Sequence, residues 1–250
     1  MTQAAPQIPA PAPPPEAEPN QTTDPNATKK RELTPLRQAV SQRIRTLQHD
    51  YRNDSSQAVQ ALARLRRGIG RQATETPDLW GLVGMEQFYA ALPPKHRPSQ
   101  SEVLRAERAA HVAVTLWALH QQSNRTKRMH VEDGASLGTA VRRLMSGTDS
   151  DEPIRKRLLR AGTATTFDVL AQRLRELVVL LRTAEIPLDY GLLAEHLEQW
   201  QKPGGASLVR QAWGRSFHAH RTPDTDVQQS APEPQTDAGA TTTHATKDQT

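Results

Sequence analysis

The sequence predicts an all-α protein, and three observations support this fold class. Apolar residues recur every three or four positions from Leu36 to Phe217, which is the spacing of one helix face. No segment alternates apolar and polar residues convincingly, and no Asn-Gly hairpin turn occurs. Glycines and prolines separate the periodic segments, as in Pro93-Pro94 and Pro203-Gly204-Gly205. We therefore expect eight or nine helices, joined by short links and packed in one or two antiparallel bundles.

Four helices are expected before residue 122. Pro35 suits the first turn of a helix, and Thr76-Pro77-Asp78 is typical of an N-cap followed by proline. The segment AAHVAVTLWAL is apolar on almost every side, which favours a central, buried helix. The expected helices follow stripes at Leu36–Tyr51, Val59–Ile69, Leu79–Leu92 and Ser101–Gln121.

Five more helices are expected after a polar loop at Gln122–Gly134. Ser136 and Asp151 each precede a helical pattern and are candidate N-caps. Thr165 with Asp168 has the spacing of a capping box. The expected helices contain Leu137–Leu144, Glu152–Gly162, Phe167–Leu181, Ile186–Trp200 and Val209–Phe217.

Composition divides the chain into five parts. Residues 1–30 and 222–250 are rich in Pro, Thr, Gln and Ala and poor in large apolar side chains, so we expect two disordered tails, the second one acidic. Between them we expect an N-terminal helical bundle over 31–121, a polar loop over 122–135 and a C-terminal helical bundle over 136–221. Neither a signal peptide nor a membrane span is recognisable, and cysteine is absent. We expect a cytoplasmic protein.

The positive charge is concentrated between the two tails. Residues 31–221 hold 29 basic and 19 acidic side chains, and 25 of the basic ones are arginine. Arginine suits phosphate because its planar guanidinium donates two parallel hydrogen bonds. A helical body with an excess of about ten positive charges is suited to a polyanion.

No arrangement typical of an enzyme is found. The acidic segment Asp149–Pro153 is better explained as a loop leading into a helix. The histidines do not converge at metal-ligand spacing, and His111 is expected to be a hydrogen-bonded core histidine. Ser136 follows no strand, so it does not form a nucleophile elbow. We expect no catalytic residue, no metal and no cofactor.

The segment ALARLRRGIGR carries four arginines, and no acid occurs from Ser55 to Thr74. On a helical wheel Arg64 and Arg67 lie opposite Leu62, where solvation alone explains them. Arg66 lies beside the apolar face, where a charged side chain usually extends to water or meets a partner. Basic clusters recur in later helices, while aromatic residues are only 4% of the chain. This favours contact with phosphates over stacking on bases.

Several stretches resemble the small subunit, CasB, of the type I-E CRISPR surveillance complex (Cascade). They are ALARLRRG at 61–68, SLGTAVRRLMSG at 136–147, IRKRLLRAG at 154–162, LAQRLRELVVLLRTAEIPLDYGLLAEHLEQW at 170–200 and VRQAWGRSF at 209–217. The tails and the loop 122–134 depart from the family pattern and inherit nothing from it.

The resemblance implies a helical protein of antiviral defence without catalytic activity. Two copies would lie beside the backbone and large subunits, binding CRISPR RNA and target or non-target DNA through a basic surface. Guide pairing would then choose the sequence, and the protein would supply contacts to the nucleic-acid backbone. Carried onto this chain, the best candidate contacts are Arg66, Arg67, Arg142, Arg143, Arg157 and Arg160. Three residues in loosely aligned positions are weaker candidates, namely Arg108, Lys202 and Arg215.

Two other classes of function remain open at this point. A helical transcription regulator would need a helix-turn-helix with a polar recognition helix, and no compact unit of this kind is recognisable. A protein–protein scaffold would pair the arginines with acidic partners. Co-purification with a guide RNA distinguishes all three classes.

Overall fold

The fold is all-α, as the sequence predicts, in a computed structural model that describes Met1 and residues 33–146 and 151–219. Within these residues the only β-type pairing is an isolated parallel bridge between His130 and Leu188. No helix among them is both long and apolar enough to cross a membrane. Two 3-10 helices cover Ala73–Glu75 and Pro77–Leu82. The α-helices are α1 (Pro35–Arg52), α2 (Ser56–Arg67), α3 (Met85–Ala91), α4 (Gln100–Gln121), α5 (Leu137–Met145), α6 (Glu152–Gly162), α7 (Phe167–Thr183), α8 (Tyr190–Trp200) and α9 (Gly205–Ala219).

Helix α4 lies at the centre of the fold. It packs against α1, α2, α7 and α8, and Val114 and Trp117 on it are fully buried. The capping box between Ser99 and Glu102 fixes its first turn. Because α4 contacts helices on several sides, it needs the nearly continuous apolar surface seen in its sequence.

Two glycines allow pairs of helices to cross at close range. A Cβ on Gly191 of α8 would lie 2.0 Å from the Ser41 hydroxyl oxygen of α1. A Cβ on Gly138 of α5 would lie 2.1 Å from the Trp213 carbonyl oxygen of α9. Any larger residue at either position would push the two helices apart.

The continuous helix predicted over Leu79–Leu92 is wrong. A 3-10 helix ends at Leu82 and α3 begins at Met85, because Gly84 between them has a φ of +91°. This left-handed conformation interrupts an α-helix and favours glycine. Arg43 of α1 holds the broken segment, since its Nε and Nη2 donate hydrogen bonds to the carbonyls of Leu82 and Gly81 at 3.1 and 3.0 Å.

The predicted helix caps have different outcomes. The Ser136 cap is confirmed, since its hydroxyl accepts a hydrogen bond from the Thr139 backbone N–H at 3.4 Å. The capping box predicted at Thr165 is wrong. Helix α7 begins one residue later than that box requires, and the Thr166 hydroxyl accepts from the Val169 N–H at 3.2 Å. Asp151 stands at the N-cap position of α6, but its side chain makes no capping hydrogen bond.

The polar loop after α4 is fastened to the core by a buried hydrogen-bond network. The Gln48 side-chain oxygen of α1 accepts from the His130 backbone N–H at 2.9 Å, and its amide donates to the His130 carbonyl at 3.1 Å. The Arg37 guanidinium lies 2.9 Å from a carboxylate oxygen of the buried Asp189. Helices on both sides of this loop contribute to one hydrophobic core. The division into bundles at 31–121 and 136–221 stays a prediction, and the tails at 1–30 and 222–250 lie outside the described residues.

Candidate nucleic-acid interface

The C-terminal turn of α2 positions the first arginine cluster. Arg67 is exposed and Arg66 is half-buried, and neither forms an ion pair within the described part of the chain. The His111 Nε2–H of α4 donates to the carbonyls of Gly68 and Arg71, at 3.2 and 3.0 Å. His111 is therefore the bonded core histidine that the sequence predicts, and burial lowers its pKa. These hydrogen bonds hold the cationic turn in a fixed place on the body.

Arg64 differs from its neighbours in the same helix. Its guanidinium donates to the Asp78 carbonyl, and its Nε lies 3.7 Å from the Asp78 carboxylate. The helical wheel places Arg64 on the face of α2 opposite Leu62, and from the sequence alone this side chain was expected only to be solvated. In the structure this side chain links α2 to the 3-10 helix at Pro77–Leu82.

A second cationic surface lies where α5, α6 and α9 meet. A groove of about 420 Å³ opens there between α6 and α9, and we call it the arginine groove. Its apolar lining consists mainly of Leu158, Leu159, Trp213 and Phe217. Its positive lining consists of Arg142, Arg155 and Arg210, His218 of α9 also lines it, and none of the described lining residues is acidic.

Two of these arginines are oriented by specific contacts. The Arg142 guanidinium carbon lies 5.8 Å from the centre of the Phe217 ring, a cation–π distance. The Arg210 Nε donates to the Gly162 carbonyl at 2.8 Å, which leaves the terminal nitrogens of its guanidinium available for an anion. Arg155 is exposed and has no ion-pair partner among the described residues. The groove thus combines an apolar floor with cations that have no acidic partner among the described residues.

A third cationic surface is mixed in charge. A hollow of about 440 Å³ between the turn after α2 and helices α4 and α7 is lined by Arg71, Arg108 and Arg175. Glu75 and Asp168 line the same hollow. The acids make this surface less suited to a polyanion than the arginine groove.

The remaining candidate residues divide by their partners. Arg143, Arg160 and Arg215 are exposed and form no ion pair within the described residues, while Arg157 donates to the Pro153 carbonyl at 3.3 Å. By contrast, Arg108 lies 3.5 Å from the Asp168 carboxylate and packs over the Phe167 ring. Lys202 lies 3.0 Å from the Glu198 carboxylate. Two of the three candidates ranked as weaker from the sequence, Arg108 and Lys202, therefore have an acidic neighbour. The third, Arg215, has none among the described residues.

The structure brings only part of the predicted set together. At the arginine groove, Arg142 lies together with Arg155 and Arg210, two residues that the sequence analysis did not select as candidates. Arg66 and Arg67 lie elsewhere, on α2, which packs against α1 and α4. The signal for Arg155 was its place in the basic run IRKR. No local signal marks Arg210, because only the packing of α9 on α6 places it at the groove.

The described residues of the acidic segment and the described histidines form no cluster suited to metal binding. Asp149 lies outside the described residues, and within those residues no group of three potential ligands converges. The Trp213 indole N–H donates to His196 Nδ1 at 3.0 Å, so this histidine serves the packing of α9 on α8.

Comparison with known proteins identifies the group to which this helical, arginine-rich body belongs. A profile of the CRISPR-associated protein Cse2 family matches residues 61–218. A crystal structure of CasB from Thermobifida fusca has 52% sequence identity and a TM-score of 0.66, and the match covers 74% of this chain and 99% of that one. A CRISPR-associated Cse2-family protein from Thermus thermophilus has 23% identity and a TM-score of 0.52, with 73% and 99% covered, and supports the fold alone. No curated protein matches the sequence significantly.

These matches define the class as an all-α CRISPR-associated protein. Within that class, the chain belongs to the Cse2 family, whose members include CasB. The resemblance drawn from the arginine-bearing stretches is therefore confirmed.

Proposed function

We propose that this chain is a non-catalytic, nucleic-acid-binding subunit of a type I-E CRISPR interference (Cascade) complex. It stabilises the R-loop between guide RNA and target DNA through its basic surface. Its partners are the backbone and large subunits, a second copy of itself, CRISPR RNA and DNA, and it works in the cytoplasm. Sequence choice belongs to base pairing, and the subunit supplies contacts to phosphates.

One observation carries the proposal. The six best candidates form no ion pair within the described residues, while Arg64 of α2 and Lys156 of α6 do. These candidates are Arg66, Arg67, Arg142, Arg143, Arg157 and Arg160. Arginines without an ion-pair partner in the described part of the chain retain their capacity for bidentate phosphate binding. The excess of about ten positive charges between the tails supports the same partner.

The test is made in the assembled complex. The chain is co-expressed with the other subunits and a guide RNA, and the purified complex is examined for that RNA and for retention of matched target DNA. Alanine at each of the six arginines should weaken DNA retention, leave the chosen sequence unchanged, and flatten the dependence of log K on log salt. The change in slope should be about 0.9 or less for each substitution, since one phosphate contact is lost.

Matched controls are available in the same helices. Arg64→Ala in α2 and Lys156→Ala in α6 remove cations that already have acidic partners, so both variants should retain DNA like the wild type. If none of the six substitutions affects retention, or if no guide RNA co-purifies, the chain is a protein scaffold or a regulator and the proposal fails.

A second test concerns the absence of catalysis. The purified chain should leave DNA, RNA and nucleotides intact with or without divalent metal. Metal-dependent cleavage that disappears in Asp151→Ala would contradict a purely binding role.

A further inference from the structure

The arginine groove combines two chemistries that a phosphate backbone alone does not use. Its floor is apolar, and Leu159 is 60% exposed within it. Phosphate contacts need the arginines but gain nothing from exposed leucine or from the Trp213 and Phe217 rings. A peptide that carries acidic residues beside small apolar ones would use both parts of the surface.

The sequence contains such a peptide immediately after α9. Residues 220–250 include five acidic and two basic side chains. Near its start the run Thr222-Pro-Asp-Thr-Asp-Val-Gln228 places Asp224 and Asp226 between Pro223 and Val227. The charges of this run are opposite to those of the groove, and its apolar side chains are small enough for a groove of about 420 Å³.

The chain is long enough to place this run in the groove. Phe217 and His218, which precede the segment, already line the groove at its α9 side. From Phe217 back to Arg210, α9 advances about 10 Å, at about 1.5 Å per residue. Val227 follows Ala219 by eight positions, and this length of chain spans up to about 28 Å when extended. The length of chain after α9 is therefore sufficient for residues 222–228 to reach the groove.

We propose that the acidic segment 222–228 docks in the arginine groove of its own chain. Val227 and Pro223 lie against the apolar floor, and Asp224 and Asp226 pair with Arg155, Arg142 or the terminal nitrogens of Arg210. A second copy would bring the same segment only at high concentration, whereas an attached segment has a high effective concentration.

Docking has a consequence that rests on the proposed function. While the segment occupies the groove, it neutralises Arg142, one of the proposed phosphate contacts. Nucleic acid must then displace the segment from this part of the surface, although the cluster at the end of α2 remains open. Deleting residues 222–250 should tighten DNA binding at low salt.

The absence of cysteine from the chain permits a direct test without nucleic acid. Leu159→Cys and Val227→Cys are introduced together in the full-length protein, and disulfide formation under mild oxidation is followed on non-reducing gels. The control combines Val227→Cys with Leu104→Cys, a position on α4 that is 48% exposed and outside the groove. Within the monomer, the groove pair should cross-link at least about five-fold faster than the control pair. This factor corresponds to the free energy that two surface ion pairs commonly contribute.

Salt and charge reversal make the test specific for the proposed contacts. The difference in cross-linking rate between the groove pair and the control pair should become smaller in 1 M salt, where the Debye length falls to about 3 Å. It should also become smaller in the Arg155→Glu variant, and circular dichroism checks that this variant is folded. Equal rates for the two pairs, or a rate unaffected by Arg155→Glu, would overturn the proposal. A disulfide-linked dimer would overturn it as well, in favour of the segment of a second copy. Because no DNA is present, failure here leaves the proposed function untouched.

Discussion

Acidification should destabilise this fold through a buried histidine of α4. Burial lowers the pKa of His120 from its ordinary 6.5 to about 4, and its Nδ1 lies 2.8 Å from the buried Tyr190 hydroxyl. Between these two pH values the unfolded chain binds a proton at this residue and the folded chain does not. Stability therefore falls as the pH decreases, and the loss is nearly complete once the folded pKa is passed.

The magnitude follows from the two pKa values. For a single site with pKa 6.5 unfolded and about 4 folded, the free energy of unfolding should drop by about 2 kcal/mol between pH 8 and pH 5, and by about 3 kcal/mol at pH 4. Burial also lowers the pKa of His130, although the negative charge of Asp189 acts in the opposite direction. This second histidine therefore also decreases the free energy of unfolding as the pH falls.

Urea denaturation followed by tryptophan fluorescence measures the effect, because Trp117 is fully buried. The wild type is compared at each pH with His120→Gln, which keeps a polar side chain beside Tyr190 but cannot titrate. The difference in unfolding free energy between the two proteins should narrow by about 2 kcal/mol from pH 8 to pH 5. His96→Gln removes an exposed imidazole and should follow the wild type. A constant difference between wild type and His120→Gln at all pH values would refute the reasoning.

Other consequences of the structure are open to simpler measurements. Gly138→Ala should lower the free energy of unfolding by about 1–3 kcal/mol, because the added Cβ would meet the backbone of α9 at 2.1 Å. Gly214→Ala is its control in α9, since a Cβ there meets nothing within 4 Å, and equal melting temperatures for the two variants would contradict the close crossing. Removal of residues 1–30 should leave the melting temperature within a few degrees of the full chain, because that composition offers little to a core. A larger decrease in calorimetry would show that the segment packs against the body.

The sequence by itself determined the fold class and the sign of the surface charge. Helical spacing of apolar residues gave the helices, because burial on one face is a local, periodic requirement. Ser136 could be recognised as a cap for the same reason, since a cap involves only the neighbouring turn. The arginine-bearing stretches were sufficient to recognise the family, which the match over residues 61–218 confirms.

Only the tertiary structure decided which cations have partners. Arg64 and Arg66 are nearly adjacent in α2, yet of the two only Arg64 contacts an acid in the described part of the chain, because the 3-10 helix carrying Asp78 packs beside it. The interruption at Gly84 likewise follows from packing against Arg43 of α1, a contact between residues far apart in the chain. Arg142, Arg155 and Arg210 come from three helices and meet at one groove only after α5, α6 and α9 have packed together. Local patterns cannot specify such meetings, since they depend on the relative positions of whole helices.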